Sequence, residues 1–517
     1  MNPTERVTDV LIIGAGPTGL VLALWLTHLG VRVRIIDRTA QPGGTSRALA
    51  VQARTLELYR QLDLAESLVE RGRKAVAVNL WVAGRKSAHL AFGDLGASVS
   101  PFPYALIFPQ DEHERLLIAK LAALGVEVER GTALMELEEA GEQTRARLKR
   151  PDGSTEDCHA RYLAGCDGAH SIVREKLQLG FAGGTYAHLF YVADVQASGA
   201  AMNAEVHVAL DRADFLAVFP LQADAHARLV GTVRDTEPRP KENLSWDDVS
   251  ERVIGWMGIH VQRVNWFSTY RVHHRVAERF RSGRVFLLGD AAHVHSPVGG
   301  QGMNTGIGDA INLAWKLAAV LQGRASAPLL DSYEAERIAF ARRLVATTDR
   351  VFTAVTSSGA IAQFMRLRLL PRLLSLAPRF AVLRGFVFGT VSQIALNYRP
   401  SSLSEGRAGA VHGGDRLPWV QMNGTDNFGP LTSLDWQLHV YGEPSRALQT
   451  LCEARQLPLH VFAWQAQMRH CGLQRNALYL VRPDGYVALA AEQVRLRGLC
   501  DYLDARKLVP ITKSMIA

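Results

Sequence analysis

Three glycines, Gly14, Gly16 and Gly19, stand in the pattern G-x-G-x-x-G within "DVLIIGAGPTGLVLALWLTHLGVRVRIIDR". That spacing suits a pyrophosphate. The first glycine allows a tight turn, the second lets phosphates approach the backbone, and the third lets a helix pack closely on a strand. Ala15, Pro17 and Thr18 complete the turn. They open a helix whose free N–H groups and dipole favour an anion. Asp37 follows about 20 residues later, where a carboxylate can accept both hydroxyls of a ribose. The glycines do not separate FAD from NAD(P). Arg38 could meet a 2′-phosphate, but Asp37 would repel one, which favours an unphosphorylated ribose.

A second stretch, "GDAAHVHSPVGGQGMNTGIGDAINLAWKL" (Gly289–Leu317), carries Asp290, then a run poor in charge and rich in glycine, then a helical pattern. So much glycine is useful where the main chain must lie against something. His293 and His295 sit in this loop without the partner spacing of a metal site, and read as satisfied loop histidines. Cys158 and Cys166 read as buried strand residues rather than nucleophiles. No metal is expected.

The elements that must position these residues can be read around them. Asp9–Ile13 and Val31–Ile36 are predicted strands flanking a helix from Pro17 to Leu29, closed by Gly30. Helical patterns recur at Arg54–Arg71 and Glu112–Gly125. "RARLKRPDGSTEDCHARYLAGCDG" predicts two strands about a Pro-Asp-Gly turn. From about Leu177 to Arg281, "LFYVADVQA", "AEVHVAL", "FLAVFPLQ" and "ARLVGTV" are short strand-like runs, which predicts an inserted antiparallel sheet. "RVFLLGD" returns to a parallel strand, and long helices follow to about Gly389. "RPSSLSEGRAGAVHGGDRLPW" reads as a Gly/Ser-rich linker. Beyond it, "LDWQLHVYG", "ALYLVRPDGYVALAA" and a closing helix suggest a small third domain.

Composition bounds the rest. With 517 residues, 48% of them apolar, the chain can bury two or three cores. Five cysteines without a CxxC exclude a disulfide framework, a zinc ribbon and a dithiol redox site. The N-terminus has no long apolar segment, so a cytoplasmic protein is expected. The charge of +8 is concentrated between Arg337 and Arg384. Aromatic residues are not interleaved there, so the run reads as helix surface rather than a nucleic-acid partner site. "LLPRLLSLAPRFAVLRGFVFG" is too interrupted by arginine and proline for stable membrane insertion.

"CDGAHSIVR" (Cys166–Arg174) and "RVFLLGDAAHVHSPVGGQGMN" (Arg284–Asn304), together with the glycine turn, resemble the FAD-dependent aromatic hydroxylases, the group A flavoprotein monooxygenases. "DRLPW" and "LYLVRPDGYVA" resemble the phenol hydroxylase and polyketide hydroxylase branch with its thioredoxin-like C-terminal domain. The resemblance implies an α/β fold. A Rossmann-like FAD-binding domain would span 1–176 and 283–399, an inserted antiparallel substrate sheet 177–282, and a thioredoxin-like domain 400–517. It implies that Asp290 bonds the ribityl chain and that Pro297 faces the flavin ring. Gly300, Gln301, Gly302, Met303 and Asn304 would offer backbone N–H groups to the pyrimidine end of the ring. Gln110 would contact the ribityl or phosphate region, Asp167 would serve the pyrophosphate, and Arg47, with Arg54 competing, would be a basic contact.

The implied reaction uses NAD(P)H as a transient co-substrate and O₂. A flavin C4a-hydroperoxide hydroxylates a small phenolic or polycyclic aromatic substrate, with no catalytic side chain assigned. Tyr191, His207 and Phe219 are candidates for the substrate face of the sheet. The tail, lacking CxxC, is expected to be structural or to support a homodimer. A flavin halogenase is disfavoured because its W-x-W-x-I-P motif is absent. A flavin-bound scaffold or cyclase that does not insert oxygen is the rival reading.

Overall fold

The computed structural model describes residues 6–44, 48–211, 215–221, 225–233, 244–296, 300–356, 369, 372, 388–422, 424–492 and 496–510. Arg47 and Pro297, named above, lie outside these residues, as does most of the basic run after Thr356.

The first sheet is built on the glycine unit. Arg6–Ile13 pairs in parallel with Val33–Asp37 on one side and Thr155–Gly165 on the other. Val128–Arg130 and Val285–Leu287 extend the parallel sheet outward. The helix Pro17–His28 crosses between the first two strands, and Leu20 to Leu26 are almost wholly buried. It is apolar all round because it lies between this sheet and the helix Gly302–Leu321. Gly30, at φ 74°, ends it. The helical pattern predicted over Arg54–Arg71 is two helices, Ala53–Arg60 and Ala65–Arg71. Asp63, at φ 52°, breaks the turn between them.

The second sheet is mixed, and it is larger than the predicted insertion. Its order is His293–Val294, Ile259–Ala277, Phe181–Gly199, His226–Val233, Phe215–Pro220, Val206–Leu210, Ala77–Val82 and Arg85–Ala91. The last two strands come from the segment before the insertion, joined by a parallel pairing of Ala77–Val82 with Val206–Leu210. One face packs on Val249, Val253, Ile254 and Met257. The other turns toward the cofactor domain, where Phe219 clusters with Leu49 and Ala53.

The tail forms a third sheet ordered Val411–His412, Glu405–Ala408, Val487–Glu492, Ala477–Val481, Gln437–Tyr441, Leu459–Phe462. The segment read as a linker is therefore structure. Glu405–Ala408 pairs in parallel with Val487–Glu492. Arg416 is buried against Glu57 of the first domain, donating at 2.8 and 2.6 Å. The Pro-Asp-Gly turn of the tail also enters the first domain. Arg482 donates to Glu336 at 2.7 and 3.0 Å, Trp315 donates to Asp484 at 3.1 Å, and Lys316 donates to Glu336 at 2.9 Å. Among the described residues no helix is long and apolar enough to cross a membrane.

Candidate functional site

The three glycines do three different things. Gly14 has φ 103°, and a Cβ there would strike the Cys166 carbonyl. A Cβ on Gly19 would strike the carbonyl of Gly14. A Cβ on Gly16 would meet nothing within 4 Å, so this glycine borders open space at the start of Pro17–His28. That helix has no acid in its first turn and no side-chain cap, so its N-terminal N–H groups are available to an anion. Asp37 ends its strand beside this opening and accepts the Ala15 N–H at 2.8 Å. Arg38 is exposed.

The second motif packs directly against the first. Gly289 has φ 56°, and its Cβ would lie 2.6 Å from the Thr18 hydroxyl oxygen; a Cβ on Gly306 would strike the same oxygen. Glycine at both positions lets the Asp290 loop and the helix Gly302–Leu321 close on the glycine turn. Asp290 is solvent-accessible and has no hydrogen-bond partner among the described residues. Burial nevertheless pushes its carboxyl above the usual range, with Asp309 adding to that and His293 opposing it. The carboxylate is thus free, among the described residues, to accept from a hydroxyl donor.

Asp309 holds the loop from behind. Its Oδ2 accepts the Gly289 N–H at 2.9 Å and faces His293 Nε2 at 2.7 Å. Its Oδ1 accepts from Arg337 Nε at 2.5 Å. Burial alone would raise the Asp309 carboxyl, but Arg337 and His293 pull it below the usual range. Arg337 also donates to Tyr398 and to the Thr305 carbonyl. Asp309 and Arg337 were missed in the sequence. The signal was there: Asp309, Asn312 and Lys316 recur at helical spacing inside an otherwise apolar helix, and all three are buried.

Asn304 does more than offer its backbone. Its Oδ1 accepts from Gln52 N–H at 2.9 Å and Thr55 Oγ1 at 2.8 Å, while its Nδ2 donates to the carbonyls of Ala50 and Gly300. It thereby clamps the loop at Gly300, where φ is 61°, onto the strand Ala50–Val51. Gln301 precedes the helix that Gly302 and Met303 begin without a side-chain cap bond, and this helix too lacks a first-turn acid. Gln110 opens the helix Gln110–Ala123 and donates to Glu114 at 2.8 Å.

Asp167 is bound within its own loop, accepting from Ser171 Oγ and the N–H groups of Ile172 and Val173. Arg54 is not at the site. It donates to Glu57 and to the Asp484 carbonyl, with its guanidinium 4.9 Å from the Tyr486 ring, so it joins the first domain to the tail. His293 is satisfied by Asp309. His295 is satisfied on one side only: Nδ1 meets the Ser296 carbonyl, while Nε2 is buried without a partner, and burial pushes the ring down to about 4.

The sheet separates the three substrate candidates. Phe219 lies on the face turned to the cofactor domain, with Phe190, Phe215, Trp266 and Tyr270. Tyr191 lies on the opposite face, stacked on Phe267 and edge-on to Trp246. His207 stands opposite Val218 on that same far face, between Trp81 and Asn203. Tyr191 and His207 therefore lie on the face turned away from the cofactor domain, and Phe219 on the face turned to it.

The open border at Gly16, the two uncapped helix starts and the unpartnered Asp290 carboxylate fit a long dinucleotide whose phosphates meet the first helix and whose hydroxylated chain meets Asp290. The family described as "FAD binding domain" matches residues 7–348. The chain is 33% identical to 6-methylpretetramide 4-monooxygenase of Streptomyces rimosus, over 99% of this chain and 95% of that protein. Its fold matches the OxyS anhydrotetracycline hydroxylase from Streptomyces rimosus with a TM-score of 0.77 and 29% identity, covering 98% of this chain and 100% of that one. It also matches the Diels-Alderase PyrE3 from the biosynthetic pathway of pyrroindomycins, with a TM-score of 0.74 and 27% identity over 96% of this chain and 99% of that one. With the cofactor cleft and these likenesses together, the chain belongs to the FAD-dependent aromatic hydroxylases.

Proposed function

We propose that this protein uses NAD(P)H and O₂ to hydroxylate a phenolic, polycyclic aromatic substrate. The observation that carries the reading is the wall of half-buried rings, Phe215, Phe219, Trp266 and Tyr270, on the sheet face turned to the cofactor domain. A flat polycyclic ring buries its faces well against such a wall. The relative named for 6-methylpretetramide supports a fused-ring substrate. When bound, FAD supplies the redox chemistry that takes electrons from NAD(P)H and delivers one oxygen atom of O₂ to the ring.

The chain's own residues bind and orient. The glycine turn and helix Pro17–His28 receive the pyrophosphate, Asp37 the adenosine ribose, and Asp290 the ribityl hydroxyls. The main chain from Gly300 to Asn304 lies against the ring, with the dipole of Gly302–Leu321 favouring negative charge at its edge. Asp309 keeps the Asp290 loop in place from behind. We read the tail as a thioredoxin-like module with a structural role, and the protein as cytoplasmic.

A second reading is favoured by the likeness to the Diels-Alderase PyrE3: a flavin-bound scaffold that shapes its substrate without inserting oxygen. One experiment decides. Polycyclic phenols are screened for stimulated NAD(P)H oxidation, and the product is formed under ¹⁸O₂. One labelled oxygen is expected. Unlabelled product formed at full rate without NAD(P)H would leave the scaffold reading instead.

A further inference from the structure

Val33–Asp37 and Val128–Arg130 run in parallel, and their last residues, Asp37 and Arg130, stand opposite each other. Both therefore lie at the end of the sheet where the glycine turn opens. The Asp37 carboxylate is already engaged: Oδ2 accepts the Ala15 N–H, and Oδ1 accepts the Thr39 N–H at 2.8 Å and the Thr39 hydroxyl at 2.6 Å. Arg130 Nη1 comes within 3.7 Å of Asp37 and donates to Thr39 Oγ1 at 3.4 Å. The other terminal nitrogen, Nη2, is buried and has no hydrogen-bond partner among the described residues.

A second carboxylate feels the charge of this group. Glu114, one turn into Gln110–Ala123, is buried; burial raises its carboxyl above the usual range, and Gln110 and Arg130 offset only part of that rise. The guanidinium thus stands beside Asp37 and Thr39, with one donor unspent at the end of the sheet where the glycine turn opens. A buried donor left without an acceptor is costly, the more so when it is charged. A ligand that brings the acceptor removes that cost.

We propose that Arg130 is a cofactor-binding residue that grips the adenosine half of FAD, donating from Nη2 to an acceptor on the adenine or its ribose. This rests on the FAD reading. Asp37 can only accept, so it can take the ribose hydroxyls but offers no donor to the ring nitrogens. Arg130 supplies that donor and, through Nη1, keeps Asp37 aimed at the ribose. If Arg130 merely tied Asp37 to Thr39, its loss would loosen the fold without distinguishing one flavin from another.

The test compares FAD with FMN, which carries the ring and ribityl phosphate but no adenosine. Dissociation constants for both are measured on apoprotein by flavin fluorescence. Arg130→Met keeps the aliphatic stem; it should weaken FAD by about tenfold or more, the equivalent of one charge-assisted hydrogen bond. FMN should be unchanged, and Arg130→Lys should restore part of the loss. Should Arg130→Met not fold, 5′-AMP competing against FAD on wild type and Arg130→Lys gives the same answer, with weaker competition expected in the lysine variant. Equal weakening of FAD and FMN, unchanged FAD affinity, or unchanged AMP competition overturns the proposal. A wild-type protein that binds neither flavin overturns the FAD reading, and this proposal with it.

Discussion

Glycines that look alike in a motif fail in different ways when replaced. Gly16→Ala adds a methyl group where no protein atom lies within 4 Å, so the apoprotein should melt as wild type does. The methyl group would occupy the place of the pyrophosphate, and FAD affinity should fall at least about tenfold, as for the loss of one strong hydrogen bond. Gly19→Ala drives its methyl group into the Gly14 carbonyl, so the apoprotein itself should lose about 1–3 kcal/mol. Thermal melts of both apoproteins with fluorescence titration of FAD check the pair; equal melting loss in both would refute the division of roles. At this scale the sequence was readable wherever a ligand constrains the spacing. Gly14 and Gly19 stand where a Cβ would strike the main chain, and Asp37 ends its strand against the glycine turn, accepting the Ala15 N–H. Asp309 and Arg337 were not read, because their work is to hold other residues and no fixed spacing to the ligand marks them. The side-chain clamp of Asn304 was hidden for the same reason, since its partners Gln52 and Thr55 are some 250 residues away in the chain.

Among the elements, strands were found by alternation, but alternation does not say which face is inward. Phe219 and His207 both lie in alternating runs, and only pairing with neighbouring strands puts them on opposite faces. The two strands at 77–91 went unread because their turn, Ala83–Gly84 at φ 48° and 79°, begins with alanine where Asn or Asp is the usual signal. The far face carries a consequence for acid stability. Trp81 Nε1 donates to His207 Nδ1 at 3.0 Å, so the ring keeps its proton on Nε2, facing Asn203 at 2.9 Å. Burial pushes this histidine down to about 4, against an ordinary value of 6.5. Between those values the unfolded chain takes up a proton that the folded chain refuses. The stability tied to a neutral His207 is therefore complete above pH 6.5 and lost as the pH falls toward 4. Urea unfolding at pH 7.5 and pH 5 should show His207→Gln losing less on acidification than wild type, by on the order of 1–2 kcal/mol. His113 and His295, pushed down to about 3 and about 4, add the same slope to both proteins, so the difference isolates His207. Identical slopes would show that the ring is not held neutral.

Across the whole molecule, the tail is built into the first domain rather than tethered to it. The Gly/Ser composition of Arg399–Trp419 reads as flexible, yet its strands are paired and Arg416 is buried, because the partners that order it lie far away in the chain, Val487–Glu492 downstream and Glu57 upstream. Glu336 is the hinge of this union: burial alone would raise its carboxyl, but Arg482 and Lys316 hold it well below the usual range. Removing one partner of such a group typically costs about 3–5 kcal/mol. Arg482→Met should therefore lower the urea midpoint sharply and release FAD earlier in the transition, since Glu336 neighbours the Arg337 that braces Asp309; a midpoint within error of wild type would show the union to be incidental. The same wiring bears on how the protein is made. Glu57 finds Arg416 across 359 residues of chain, and Glu336 finds Arg482 across 146. A ribosome that has finished the cofactor motifs at Asn304 must still add roughly 180 residues before Arg482 exists, on the order of 10–40 seconds of synthesis. Throughout that interval Glu57 and Glu336 have only the nearer of their cations, Arg54 and Lys316, to meet them. The buried ion pairs of its first domain are completed only when Arg416 and Arg482 have emerged.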